Sequence, residues 1–273
     1  MNIIDDVKNY EENGYLVLKG ALPKPLLDNL ELEFSHLVKM QLTKAGIHVP
    51  SDANIDELVT TLDQHSFSLL QEAIMMLRNT RAAFALLNND TLKAYCDALL
   101  KSDIGHIISG PSMLVNQPGK STRKYTAHAE QTWYPKRQNF LNIWTPFIKD
   151  RVSHETIRIW KGSHLKDWFY FSEYTGYDEK NDKFDNIQYE IPNAYLKDFP
   201  AHDIEDMAVG DIVIFSPKLV HASLDTREDI SYAFSIRAFD YRQDLTFSAN
   251  WAEVPFGQSK TARVKVSEDF TCS

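Results

Sequence analysis

The sequence predicts a mainly β protein with flanking helices, built on a double-sheet jelly roll (a cupin-like double-stranded β-helix). Three observations carry that prediction. Short apolar runs, each closed by a turn signal, recur between residues 112 and 240. The runs are rich in β-branched and aromatic residues and several alternate with period two. Two histidines and a glutamate, His128, Glu130 and His221, sit at the margins of such runs, where the mouth of a jelly roll presents ligands.

The elements follow in order. Residues 1–104 read as a mainly helical buttress. Pro25 opens a segment with Leu26, Leu27, Leu30, Phe34, Leu37 and Val38 on one face, ending near Gly46. Further helical patterns run over 54–64, 66–78 and 90–101, and the Met75-Met76 pair reads as packing rather than a cofactor contact. The core spans 105–241. SMLVNQ places Asn116 on one strand; FLNIWTPF (140–147) and ETIRIWKGSH (155–164) follow as strand-like runs. Residues 172–207 lack a clear period and read as an insertion, either a substrate lid or a plain surface excursion. Gly210-Asp211 is a turn before the apolar run Ile212 to Phe215, which Pro217 ends. ISYAFSIRAFD (230–240) is the last strand, and 242–273 form a C-terminal segment. One domain, 1–273, accounts for the whole length.

The chemistry rests on HAE at 128–130. On a strand, residues i and i+2 share a side, so His128 and Glu130 grip one ion while Ala129 turns away. With His221 they make the two-histidine, one-carboxylate set of non-haem Fe(II) oxygenases. HxE is a common string, and zinc also takes two histidines and a glutamate. The helical zinc signature HExxH is absent, which favours iron.

NYEENGYLVLKGAL (9–22), HAEQTWYP (128–135), NIWTPFIKDRVSHETIRIWKGSH (142–164) and GDIVIFSPKLVHAS (210–223) together resemble the phytanoyl-CoA dioxygenase-like family of Fe(II)/2-oxoglutarate oxygenases. The resemblance implies a non-haem dioxygenase, with Fe(II), the co-substrate 2-oxoglutarate and O2, that hydroxylates or otherwise oxidises an unactivated C–H bond of a small metabolite and releases succinate and CO2. Two departures stand out. Glu130 fills the family's usual Asp position and keeps an oxygen ligand, which argues against halogenation. Tyr232 stands where the family places a co-substrate Arg, eleven residues past the distal His. The anchor role therefore passes to Arg237, whose planar guanidinium suits a bidentate carboxylate pair. Asn116, Ser223 and Trp144 are further candidates around the co-substrate. For Ser223 a strand-end hydroxyl bonded to backbone is equally open, and a buried Trp on a core strand such as Trp144 more often serves packing. The remaining histidines read as non-ligands, with His164 a structural hydrogen-bonding residue closing the KGSH turn. Arg123, Lys124, Lys136 and Arg137 flank the first ligand segment as an attraction for anions or as solvated turn residues.

Composition narrows the rest. With 43% hydrophobic and 25% charged residues the chain reads as a soluble globular protein. A formal charge of −9 argues against a nucleic-acid surface. The apolar runs are too short to span a bilayer, and no secretory pattern opens the chain. Two distant cysteines, Cys96 and Cys272, suit a reducing cytoplasm. A small-molecule substrate is expected and the oligomeric state is open. Two rival readings stand beside the oxygenase: a cupin-like metal-dependent hydrolase or isomerase, and a non-catalytic jelly-roll binding protein.

Overall fold

Helices and antiparallel strands share the fold, and five of the six described helices start where a short polar side chain caps them. A computed structural model describes residues 2–102, 106–108, 111–118, 125–133, 139–151, 156–168, 171, 173–178, 183–224 and 229–240. The helices are α1 (Ile3–Asn13), α2 (Lys24–Lys44), α3 (Ile55–His65), α4 (Phe67–Leu77), α5 (Arg81–Leu87) and α6 (Asp90–Leu100). Asn2, Asn54, Ser66, Thr80 and Asn89 each accept a backbone N–H of the following first turn, and Asn54 with Glu57 forms a reciprocal capping box. Each such cap contributes about 1 kcal/mol. Helix α5 has no counterpart among the helical patterns read from sequence; it is only seven residues long, too short to display a period.

The strands are β1 (Tyr15–Leu18), β2 (His106–Ile108), β3 (Ser112–Asn116), β4 (Phe140–Pro146), β5 (Ile157–Trp160), β6 (Glu173–Asp178), β7 (Lys183–Glu190), β8 (Ala201–Asp203), β9 (Ile212–Phe215), β10 (His221–Ser223) and β11 (Ser231–Asp240). One six-stranded sheet runs β1-β9-β4-β11-β2, with β3 also on β11. A second sheet runs β10-β5-β8, and β6 and β7 pair as a separate hairpin. All pairings are antiparallel.

Side-chain alternation divides the large sheet. Leu16, Leu18, Met113, Val115, Leu141, Ile143, Ile212, Ile214, Tyr232, Phe234, Ile236 and Ala238 join the helices in one apolar core. Their neighbours Val17, Leu114, Trp144, Val213, Phe215 and Ala233 point the other way and meet Ile157 and Ile159 of the second sheet. Period two thus assigns one face of each strand to the helices and the other to the space between the sheets.

Three expectations need correction. The fold is a mix of helix and antiparallel sheet rather than mainly β: the described helices hold more residues than the described strands, and the described strands do not close a barrel. Residues 172–207 are not one insertion. Residues 173–190 carry the β6-β7 hairpin, whereas β8 pairs with β5 and Ile204 and Met207 are buried between the sheets. The aperiodic look of 201–207 arises because a three-residue edge strand is too short to show alternation. Met75 and Met76 are exposed, 53% and 40%, because Leu70, Ala73, Ile74 and Leu77 already fill the buried side of α4. Residues 179–182 and the segment 242–273 lie outside the described residues.

The turn before β9 is set by Gly210 and Asp211. Gly210 has φ +102, and a Cβ there would meet the Leu22 carbonyl oxygen at 2.9 Å. Asp211 accepts from the backbone N–H of Gly20 and Ala208 and from Lys19 Nζ, tying β1 to β9.

Candidate metal centre

His128 and His221 are clamped together by the main chain. His128 N–H donates to the His221 carbonyl at 3.0 Å and His221 N–H to the His128 carbonyl at 2.9 Å, an isolated antiparallel bridge that sets the ring centroids 4.2 Å apart. HAE does not lie on a full strand: after this single bridge, a 3-10 turn begins at Glu130. The sidedness read from sequence nevertheless holds. Ala129 is fully buried in a separate apolar cluster with Ala127, Trp168, Ile191 and Val220, while His128 and Glu130 turn toward His221.

Ligand atoms of His128, Glu130 and His221 all lie within 4.8 Å of one another, close enough for one ion with bonds of about 2.0–2.2 Å to draw all three. All three residues are at least 93% buried. Nδ1 of His128 lies 2.7 Å from the Thr126 carbonyl oxygen, and Nδ1 of His221 lies 3.0 Å from that of Leu219. A carbonyl only accepts, so Nδ1 carries the proton in each ring and Nε2 keeps its lone pair for a metal.

Electrostatics favour the same set. Burial pushes the His221 imidazole down to about 3, assisted by the neighbouring His128. Burial also lowers His128, against an opposing pull from Glu130. Both rings are therefore neutral, as ligands must be. Burial alone would raise Glu130, but Arg237 with the two histidines outweighs it and holds the carboxyl below its ordinary value. The pairing is two-pronged: Arg237 Nη2 donates to Glu130 Oε1 at 2.6 Å and Nε to Oε2 at 3.3 Å.

The other candidates divide. Arg237 reaches the triad from the inner face of β11. Asn116 ends β3 opposite Ser231 and shares the parity of inward-facing Leu114. Ser223 lies two residues past His221 on β10, on the same side. Trp144 sits in the apolar cluster between the sheets. Tyr232 faces the opposite way: it is fully buried toward the helices, with its hydroxyl donating to Asp56 at 2.7 Å. His164 is structural, as expected. Its ring packs where a Cβ on Gly14 (φ +78) would stand 2.4 Å away, and its Nε2 lies 3.3 Å from the Glu11 carbonyl oxygen. The basic residues 123, 124, 136 and 137 lie outside the described residues.

Sequence reasoning missed two neighbours. Phe215 puts its ring edge against His221, centroids 4.6 Å apart. Asn142 is 1% exposed on β4, and neither its Nδ2 nor its Oδ1 has a hydrogen-bond partner among the described residues. Its signal was present: it is a lone amide in a run buried at every position.

Comparison with known proteins agrees with this geometry. A family model described as phytanoyl-CoA dioxygenase (PhyH) matches residues 10–229. The peroxisomal phytanoyl-CoA dioxygenase of Homo sapiens is 24% identical over 229 residues, covering 81% of this chain and 63% of the human protein. The chain thus spans a little under two thirds of that relative's length. Among solved structures, the non-haem alpha-ketoglutarate-dependent carbocyclase SnoK from nogalamycin biosynthesis superposes with TM-score 0.54 at 17% identity, covering 86% of this chain and 83% of its own. EctD from S. alaskensis, solved with 2-oxoglutarate and 5-hydroxyectoine, gives 0.54 at 13% identity over 86% of this chain and 75% of its own. These likenesses establish a shared fold.

Proposed function

The chain belongs to the phytanoyl-CoA dioxygenase family, and on that premise we propose that it is an Fe(II)/2-oxoglutarate-dependent dioxygenase that hydroxylates a C–H bond of a small molecule. The observation that carries the reading is the convergence of His128, Glu130 and His221, buried, with both imidazoles neutral and their Nε2 lone pairs available. Its two antiparallel sheets read as the two halves of a jelly roll, with the triad at one mouth.

His128, Glu130 and His221 would hold the iron with three ligand atoms, which would leave room beside it for the co-substrate. Charge supports that co-substrate. A divalent cation, one carboxylate and one guanidinium leave two positive charges over in a buried site, and 2-oxoglutarate is a dianion. When bound, iron and co-substrate supply the oxidising chemistry and release succinate and CO2.

The chain's own residues orient and exclude. The Thr126 and Leu219 carbonyls fix the two imidazole tautomers. Arg237 holds Glu130 in two prongs and would anchor the far carboxylate of 2-oxoglutarate in the loaded site. Asn116, Ser223 and Trp144 border the same space. Val213, Phe215, Ile157 and Ile159 keep bulk water from the floor of the site. The β6-β7 hairpin is the segment we assign to substrate gating.

The test is direct. Protein loaded anaerobically with Fe(II) is exposed to O2 with 2-oxoglutarate, and succinate is measured. Succinate formation that requires both supports the reading. Turnover of a substrate without O2 and 2-oxoglutarate would replace it with the hydrolase or isomerase, and failure to bind Fe(II) would replace it with the binding protein.

A further inference from the structure

Asn142 is a buried polar side chain that the described residues leave unpaired. Both ends of its amide lack a partner among the described residues, at 1% exposure. Burying an amide unpaired is costly, so a chain retaining one on a strand buried at every position gains something from it elsewhere. The register of β4 sets its position. It shares the parity of Trp144, which points between the sheets, while Leu141 and Ile143 pack on the helices. In register it stands directly opposite Arg237 on β11 and Phe215 on β9. Directly opposed residues on one face have Cβ atoms about 4.5–5.5 Å apart. Asn142 is therefore bracketed by the guanidinium that holds Glu130 and by the ring that packs on His221.

We infer that Asn142 binds 2-oxoglutarate, its Nδ2 donating to the far carboxylate that Arg237 anchors, which makes the receiving pocket an Asn-Arg pair on adjacent strands. The inference rests on the oxygenase reading above. An amide is suited to this place because it donates without adding charge, so the balance between cation, Glu130, Arg237 and a dianion is kept. A second cation at the same position would leave the buried site with excess charge. An apolar residue would leave one carboxylate oxygen short of a donor.

The test uses full-length protein loaded anaerobically with Fe(II), with 2-oxoglutarate binding followed by calorimetry. Asn142→Leu, nearly isosteric, is expected to weaken 2-oxoglutarate at least tenfold while Fe(II) affinity stays within about threefold. The metal-free melting temperature is expected to hold or rise, because the variant removes an unpaired buried amide. Asn142→Asp sets a carboxylate against a carboxylate and is expected to weaken 2-oxoglutarate further, which keeps the test alive if the Leu variant folds poorly. The shorter 2-oxobutyrate shares the chelating end but lacks the far carboxylate, and its affinity is expected to be equal in wild type and both variants. A 2-oxoglutarate affinity within twofold of wild type in both variants overturns the inference and leaves Asn142 as a water-bonded structural amide. Equal losses for 2-oxoglutarate and 2-oxobutyrate overturn the assignment to the far carboxylate. Wild-type protein that binds Fe(II) but no 2-oxoglutarate overturns the oxygenase reading itself.

Discussion

The two faces of the large sheet are made by the same strands and obey opposite rules. Toward the helices, β11 presents Tyr232, Phe234, Ile236 and Ala238, all fully buried, and the one hydroxyl among them is satisfied by Asp56. Toward the second sheet, the alternate residues are Ala233, Ser235 and Arg237; across from Arg237, β4 places Asn142, whose amide has no partner among the described residues. The helix-side face is closed in on itself. The inner face keeps charge and unpaired polarity among buried and half-buried residues, an arrangement that raises the cost of folding and makes sense where a ligand completes it. Core packing and the proposed chemistry thus fall to adjacent residues of one strand, one pleat apart.

The sharpest way to break this division is on the triad. His221→Ala is expected to abolish Fe(II) binding and succinate formation while the metal-free protein melts within a few degrees of wild type, as read by anaerobic metal titration and thermal denaturation. Substantial unfolding would mean that the inner face also carries stability. The mirror experiment is Phe234→Ala on the helix side. Losing a fully buried ring that packs on Phe147 at 4.7 Å should cost about 3–5 kcal/mol in denaturant unfolding, with Fe(II) affinity unchanged.

Arg237→Gln falls between these. It removes a charge-assisted pair, and 2-oxoglutarate is expected to bind about 10- to 100-fold more weakly. Metal-free protein should also melt lower, because Glu130 is left buried without its counter-charge. Fe(II) should then raise the melting temperature more in the variant than in wild type, since the cation supplies what the guanidinium no longer does. An unchanged 2-oxoglutarate affinity would move the anchor elsewhere.

The smallest effect is expected on the outward side of the second sheet, where Arg158 pairs in two prongs with Asp203 across β5 and β8. The Arg158 hydrogen bonds hold the Asp203 carboxyl below its ordinary value. A depressed carboxyl stabilises the fold above its unfolded value, about 3.9, and that contribution is lost as pH falls through the lower folded value. Arg158→Ala should therefore cost at most about 1 kcal/mol at pH 7, discounted for solvent exposure, and the gap to wild type should narrow below about pH 4.

Much of this was legible in the sequence because it is local. Asn54 three residues before Glu57 announces a capped helix, Gly210-Asp211 a turn, and the parity of His128 and Glu130 their common side; backbone geometry alone sets these relations. Parity also separates Tyr232 from Arg237, five residues apart, onto opposite faces of β11, so the tyrosine points to the helices. What only the tertiary structure decided are the meetings across long separations: the main-chain clamp between His128 and His221, the pairing of Glu130 with Arg237, the pairing of β8 with β5, and the place of Asn142 between Arg237 and Phe215. Strand register depends on how whole apolar faces fit together, summed over many residues, and no short stretch of sequence contains that sum.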